Sequence, residues 1–261
     1  MTGSLLSAVT ELATIAGDEA NKYFRQGIAV EFKSDGSPVT AADCAAETVA
    51  REWIRARFPD DGILGEEFGL EKSDAPRRWV LDPIDGTKSF IHGVPLWGTL
   101  VAVVEGETVL AGAVYAPPTQ ELVAAAPGEG AWFNGIRTYV SGTDSLASAT
   151  LLTTDARFPG RPQRQQRWEQ LARATRIVRT WGDCYGYLLL ATGRADIMVD
   201  DQMNAWDAAA VQVVIDEAGG RFTDFRGRST AFGGDSIATN GALDALVRDI
   251  LSPDGDPGLD A

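Results

Sequence analysis

The sequence predicts a layered α/β fold with mixed sheets. Strand pairs joined by tight turns dominate the first half, strands alternate with helices in the second, and no Gly-rich linker separates the two. Hairpins give antiparallel pairs and alternation gives crossovers, so together they call for mixed sheets covered by helices. One compact unit with a cleft between its halves is expected: an N-terminal half 1–138, a C-terminal half 139–251, and a Pro/Gly/Asp-rich tail, 252–261, expected to be disordered.

Apolar residues at helical spacing from Leu5 to Phe24 predict a helix over 4–25, ended by Gly27. A short strand, 28–33, and a turn-rich loop, 34–38, follow. Thr40-x-x-Asp43 resembles a capping pair opening a helix over about 42–57. Strands are expected at 63–65 and 79–82, the second stopped by Pro83, which cannot donate to a ladder. Residues 97–104 and 108–115 read as a hairpin, followed by a strand 120–126 and a loop 128–135. The second half reads as strands near 149–153, 176–179, 195–199, 221–224 and 236–239, with helices at about 163–174, 184–192, 205–218 and 241–251.

The 261 residues are 44% hydrophobic and 23% charged, ordinary for a globular chain with a sizeable core. No apolar run reaches membrane-spanning length, and the N-terminus lacks the basic and apolar regions of a signal peptide. A net charge of −14 argues against nucleic acid and anionic membranes as partners. Cys44 and Cys184 fit no CxxC spacing, which points to a reducing, cytoplasmic setting. With His92 as the single histidine, a zinc site is disfavoured, and a Ser-His-Asp triad has no supporting motif. Carboxylates, hydroxyls, lysine and metal are left to carry the chemistry.

"VLDPIDGTKSF" (80–90) drives a buried strand into Asp82 and Asp85. Buried carboxylates are costly unless something cationic compensates them. Gly86 and Thr87 then start a helix, whose free N–H groups form an anion site. Taken singly, Asp85 can cap a helix, Asp82 can make a turn, Glu66-Glu67 can be a solvated loop and Asp207 can favour a helix dipole. Asp43, Glu66-Glu67, Asp82/Asp85 and Asp207 all sit at element ends, and that coincidence favours one site. The D-x-x-D spacing does not fit phosphatases that need D-x-D, and neither cysteine heads a phosphate loop.

"GEEFG" (65–69), "WVLDPIDGTKSF" (79–90) and "WDAAA" (206–210), in this order, resemble the inositol monophosphatase superfamily over nearly the whole chain. The resemblance implies an αβαβα sandwich, a homodimer, and a Mg²⁺-dependent phosphomonoesterase using two to three ions, with Mn²⁺ able to substitute. By position, Glu66, Asp82 and the Ile84 carbonyl resemble ligands of one ion, and Asp82, Asp85 and Asp207 those of a second. Thr87 resembles the hydroxyl paired with Asp43 near an attacking water, with Glu66 also in the catalytic set. The Gly86 and Thr87 amides would hold phosphate. Lys33 and its loop resemble the family's mobile segment. Glu67 is expected just behind the ligands, because adjacent strand residues face opposite ways. The Trp132-Phe133 pair, taken as exposed, is a candidate dimer contact. "GDCYGY" (182–187) looks like the histidinol-phosphate phosphatase branch. Asp183 and Asp200 fall where the superfamily lines its substrate pocket, and two acids suit a cationic alcohol. Asp183 capping the following helix is the competing reading. Tyr185 and Tyr187 can stack on an imidazole or simply pack in the core. An inositol or sugar phosphate stays the alternative substrate.

Overall fold

The computed structural model describes residues 4–34, 36–158 and 161–253. In chain order its elements are α1 (Leu5–Asn21), β1 (Val30–Phe32), β2 (Pro38–Thr40), α2 (Ala41–Arg57), β3 (Gly62–Gly65), β4 (Gly69–Glu71), β5 (Arg77–Asp85), α3 (Thr87–Ile91), β6 (Gly98–Glu105), β7 (Thr108–Ala116), β8 (Glu121–Ala126), β9 (Gly130–Phe133) and β10 (Ile136–Arg137). The chain continues through β11 (Thr150–Leu152), α4 (Pro162–Ala174), β12 (Ile177–Arg179), α5 (Asp183–Ala191), β13 (Ile197–Asp200), α6 (Ala205–Glu217), β14 (Arg221–Thr223), β15 (Ser236–Thr239) and α7 (Asp244–Leu251).

Two mixed sheets carry the fold. The larger runs β10-β9-β8-β7-β6-β5-β3-β4, antiparallel except for β3 beside β5. The smaller runs β12-β11-β13-β15-β14, parallel at β12-β11-β13 and antiparallel beyond. Strand periodicity explains how one strand serves two cores. Trp79, Leu81, Val101 and Val103 face α1 and α2, while Val80, Leu100, Ala102 and Val104 face α5 and α6. The same central core takes in Leu152, Met198, Phe222 and Ala238 from the smaller sheet, whose other face packs under α4 and α7 through Trp168, Leu171 and Val247. The layers are thus helix, sheet, helix, sheet, helix, as expected.

Several boundaries differ from expectation, each for a physical reason. α1 stops at Asn21, with turns through Gln26. β5 runs past Pro83 to Asp85: its pairing with β6 slips between Asp82 and Asp85, and a bulge accommodates the missing donor. The glycine-bounded stretch 128–135, expected as a loop, contains β9, paired along β8, and β4, for which no element was expected, folds back on β3. Trp132 and Phe133 are half-buried, not exposed; Arg137 and Arg194 lie over their rings. Ser252, assigned to the tail, is buried and donates to the Phe225 carbonyl at 2.5 Å. Residues 254–261 of that tail lie outside the described residues.

Candidate active site

β5 delivers two carboxylates and α6 a third. Asp82 is buried, and its Oδ1 accepts the Ile84 N–H at 3.0 Å across the bulge. Asp85 accepts the Cys184 N–H at the start of α5. Asp207 stands in the first turn of α6, where its Oδ2 caps the Asn204 N–H at 2.7 Å. One oxygen from each of Asp82, Asp85 and Asp207 lies within 4.8 Å of the others. Burial, first, raises all three carboxyls; Glu66 then adds to Asp82, Asp183 adds to Asp85, and Asp207 rises to about 6. Three oxygen donors this close, each disfavoured as an anion, fit a hard divalent cation, which prefers carboxylate oxygen. Asp43 supports the fit. Its Oδ2 accepts the Thr40 N–H and hydroxyl at 2.8 and 2.7 Å in a full capping box, while Oδ1 is buried with no hydrogen-bond partner.

Glu66 and Glu67 lie in the turn after β3, not within the strand, so alternation does not separate them. Both converge on Lys33, whose Nζ donates to Glu66 at 2.9 Å and to Glu67 at 2.8 Å. Burial pushes Glu67 up to about 7 despite Lys33.

Gly86 turns the chain from β5 into α3 at φ +86°, where an added Cβ would stand 3.0 Å from the Leu96 carbonyl and 3.1 Å from Asp183 Oδ2. The Thr87 hydroxyl donates to the Ile84 carbonyl at 3.0 Å. A Thr87–Asp43 pairing, as the resemblance implies, is not among the hydrogen bonds of the described residues. A cleft of about 520 Å³ opens over this end, lined by Glu66, Gly86, Thr87, Lys88, Arg157 and Asp183 among others. Beside it lies an inner pocket of about 70 Å³, where Asp85, Asp183, Asp200 and Asp207 meet Tyr187.

Asp183 is the first residue of α5, with φ +50°, and the cap position belongs to Gly182, which removes the capping reading. Its carboxyl faces the cleft and is raised to about 7 by burial and by Asp200, with Lys88 opposing. Asp200 is less free than expected: it is buried, and its oxygens accept the Thr154 N–H at 2.9 Å and the Tyr187 hydroxyl at 2.8 Å. Tyr187 is thereby core, and Tyr185 packs half-buried beside it. His92 is exposed at the end of α3, away from the cleft lining.

Three residues escaped the sequence reading. Thr154 holds Asp200 and, through its hydroxyl, the Asp183 N–H at 2.8 Å. Lys88 lines the cleft mouth, and Glu47 underlies the Glu66-Glu67 turn. Only Glu47 had a signal: it follows Asp43 by four residues on one face of α2.

The sequence model of the inositol monophosphatase family matches residues 2–252. A histidinol-phosphatase of Chlorobaculum parvum is 42% identical over 252 residues, 96% of each chain. One of Mycobacterium tuberculosis is 40% identical, covering 89% of this chain and 93% of its own. Among solved structures, a Thermotoga maritima IMPase superposes with a TM-score of 0.85 at 33% identity, covering 95% of this chain and 97% of that one.

Proposed function

The chain belongs to the inositol monophosphatase family, which is metal-dependent, and we propose that it is a Mg²⁺-dependent phosphomonoesterase that hydrolyses L-histidinol phosphate to L-histidinol and phosphate. Glu66, Asp82, the Ile84 carbonyl, Asp85 and Asp207 would hold two to three ions, Mn²⁺ serving in place of Mg²⁺. Bound there, such ions lower the pKa of a water and neutralise charge on the ester oxygens. The remaining work falls to the chain. Gly86 and Thr87 line the cleft, and their amides would be the phosphate donors. The Thr87 hydroxyl and the unpartnered Asp43 Oδ1 are the groups that can orient an attacking water and take its proton. In-line transfer needs such positioning more than a covalent nucleophile.

One observation carries the choice of substrate: Asp183 presents a carboxyl to the cleft, backed by buried Asp200. A cationic alcohol would restore the Asp183 charge and pair with it. The 40–42% identity to two histidinol-phosphatases supports the same reading. An inositol or sugar phosphate is the second reading, supported by the 33% identity to the Thermotoga maritima IMPase. The test compares kcat/KM for L-histidinol phosphate, inositol 1-phosphate and glycerol phosphate in the wild type and Asp183→Asn. A hydrogen bond to a charged group is worth about 1.5–3 kcal/mol, so the variant should lose roughly tenfold to a hundredfold on the histidinol ester. The two esters of uncharged alcohols should barely change. Equal losses on all three would make Asp183 structural and move the second reading ahead.

Two features of the reading need their own measurements. A homodimer is proposed from the family resemblance, and sedimentation of the purified chain at micromolar concentration checks it. The cytoplasmic setting accords with free Cys44 and Cys184. Among the described residues no helix is long and apolar enough to cross a membrane.

A further inference from the structure

The turn that carries Glu66 and Glu67 is held from beneath by a carboxylate outside the acidic cluster. Glu47 lies on α2, one turn beyond Asp43, with its side chain fully buried. Its Oε2 accepts the Glu67 N–H at 2.8 Å. Its Oε1 accepts the Phe68 N–H at 3.2 Å and Arg51 Nε at 2.7 Å. Arg51 reaches on to the Gly69 carbonyl and to Glu71, so one ion pair ties α2 to the turn after β3 and to β4. Gly65 completes the fit, since a Cβ there would overlap the Glu47 carboxylate. A buried ion pair is a poor source of stability, and an apolar pair of similar volume would serve packing as well. What an apolar side chain cannot do is hold two consecutive amides and so fix the direction in which Glu66 leaves the turn.

We infer that Glu47 is the positioning residue for Glu66: by accepting the Glu67 and Phe68 N–H groups it sets the turn that aims the Glu66 carboxylate at the acidic cluster. The inference rests on the reading of Glu66 as a metal ligand. Partners that orient a ligand without touching the ion are commonly worth 10- to 100-fold in metal affinity.

The experiment titrates Mg²⁺ and Mn²⁺ into metal-stripped protein, followed by calorimetry and by the rise in Tm, for the wild type, Glu66→Gln, Glu47→Gln and Arg51→Gln. In Glu47→Gln an amide NH₂ faces backbone donors. The half-saturating metal concentration should rise about tenfold or more. Arg51→Gln keeps a donor for Glu47, so it should lower Tm yet leave half-saturation in place. Wild-type metal binding by Glu47→Gln, or equal weakening in Arg51→Gln, overturns the inference. Unchanged binding by Glu66→Gln instead sinks the metal-ligand reading itself. Should Glu47→Gln not fold, Glu47→Asp keeps the charge for Arg51 and withdraws it from the amides. The same weakening is then expected, and unaltered half-saturation overturns the inference.

Discussion

Burial, and then their neighbouring acids, raises the carboxyls of Asp82, Asp85 and Asp207. Asp207 is raised from 3.8 to about 6, by burial first. A carboxyl with a folded pKa above its unfolded value binds more protons when folded, so the fold loses stability as pH rises from about 4 towards 7, and the full penalty stands above that. A cation removes the penalty and competes with the same protons. EDTA-stripped protein should therefore gain more Tm from Mg²⁺ at pH 8 than at pH 6; a shift independent of pH would show that these carboxylates do not hold the ion. Excess EDTA should abolish phosphate release, and Asp85→Asn or Asp207→Asn should cut turnover by orders of magnitude in a folded protein. Thr87 makes a different prediction. Among the described residues its hydroxyl hydrogen-bonds only the Ile84 carbonyl, so Thr87→Ala should lower kcat far more than it changes KM, as for a contact made in the transition state. An unchanged kcat would remove Thr87 from the mechanism. The cluster itself was legible because its members all sit at element ends, a coincidence that their separate bland readings do not explain. Thr154 was not, because only the tertiary fold brings it to the Asp200 carboxylate and the Asp183 N–H, and Glu47 showed no more than its spacing from Asp43, since the turn after β3 supplies its amide partners.

At the scale of elements, the site is assembled from helix starts. Asp43 and Asp207 each close a capping box, with Thr40 and with Asn204, so the bond that begins the helix also fixes the carboxylate. The Thr40-x-x-Asp43 spacing announced the first box, since capping is a local pattern. The bulge at Pro83, the strand β9 inside a glycine-bounded stretch and the edge strand β4 were not legible, because each depends on a neighbouring strand to pair with. Gly86 is where element geometry and chemistry meet. A side chain there would meet both an unfavourable φ of +86° and the Leu96 carbonyl and Asp183 carboxylate. Gly86→Ala should cost at least about 1 kcal/mol of stability, and it should weaken catalysis further by moving α3 against Asp183. Wild-type Tm and kcat/KM in that variant would mean that neither the turn nor the contact matters.

Across the whole molecule, the two sheets share a single central core: Val80, Leu100 and Val114 of the larger pack in one cluster with Leu152, Met198 and Phe222 of the smaller, around α5 and α6. The acidic cluster straddles the same boundary, with Asp82 and Asp85 from the larger sheet and Asp207 from α6, which contacts β7 and β6 on one side and β14 on the other. Alternating patterns announced two kinds of sheet but not how they stack, since stacking depends on which faces of α5 and α6 meet which strands. Both of these helices are apolar nearly all round, as burial between two sheets requires. Each half keeps an outer core of its own, under α1 and α2 or under α4 and α7, but the inner face of its sheet would be laid open if the other half unfolded. The halves 1–138 and 139–251 should therefore melt together, with calorimetric and van't Hoff enthalpies equal and with tryptophan fluorescence and far-ultraviolet dichroism coinciding. Mg²⁺ should move that single transition upward without splitting it, because its proposed ligands come from both sides of the boundary. A second transition, or a metal shift confined to one of two, would show that the halves are separate folding units and that the site lies wholly within one.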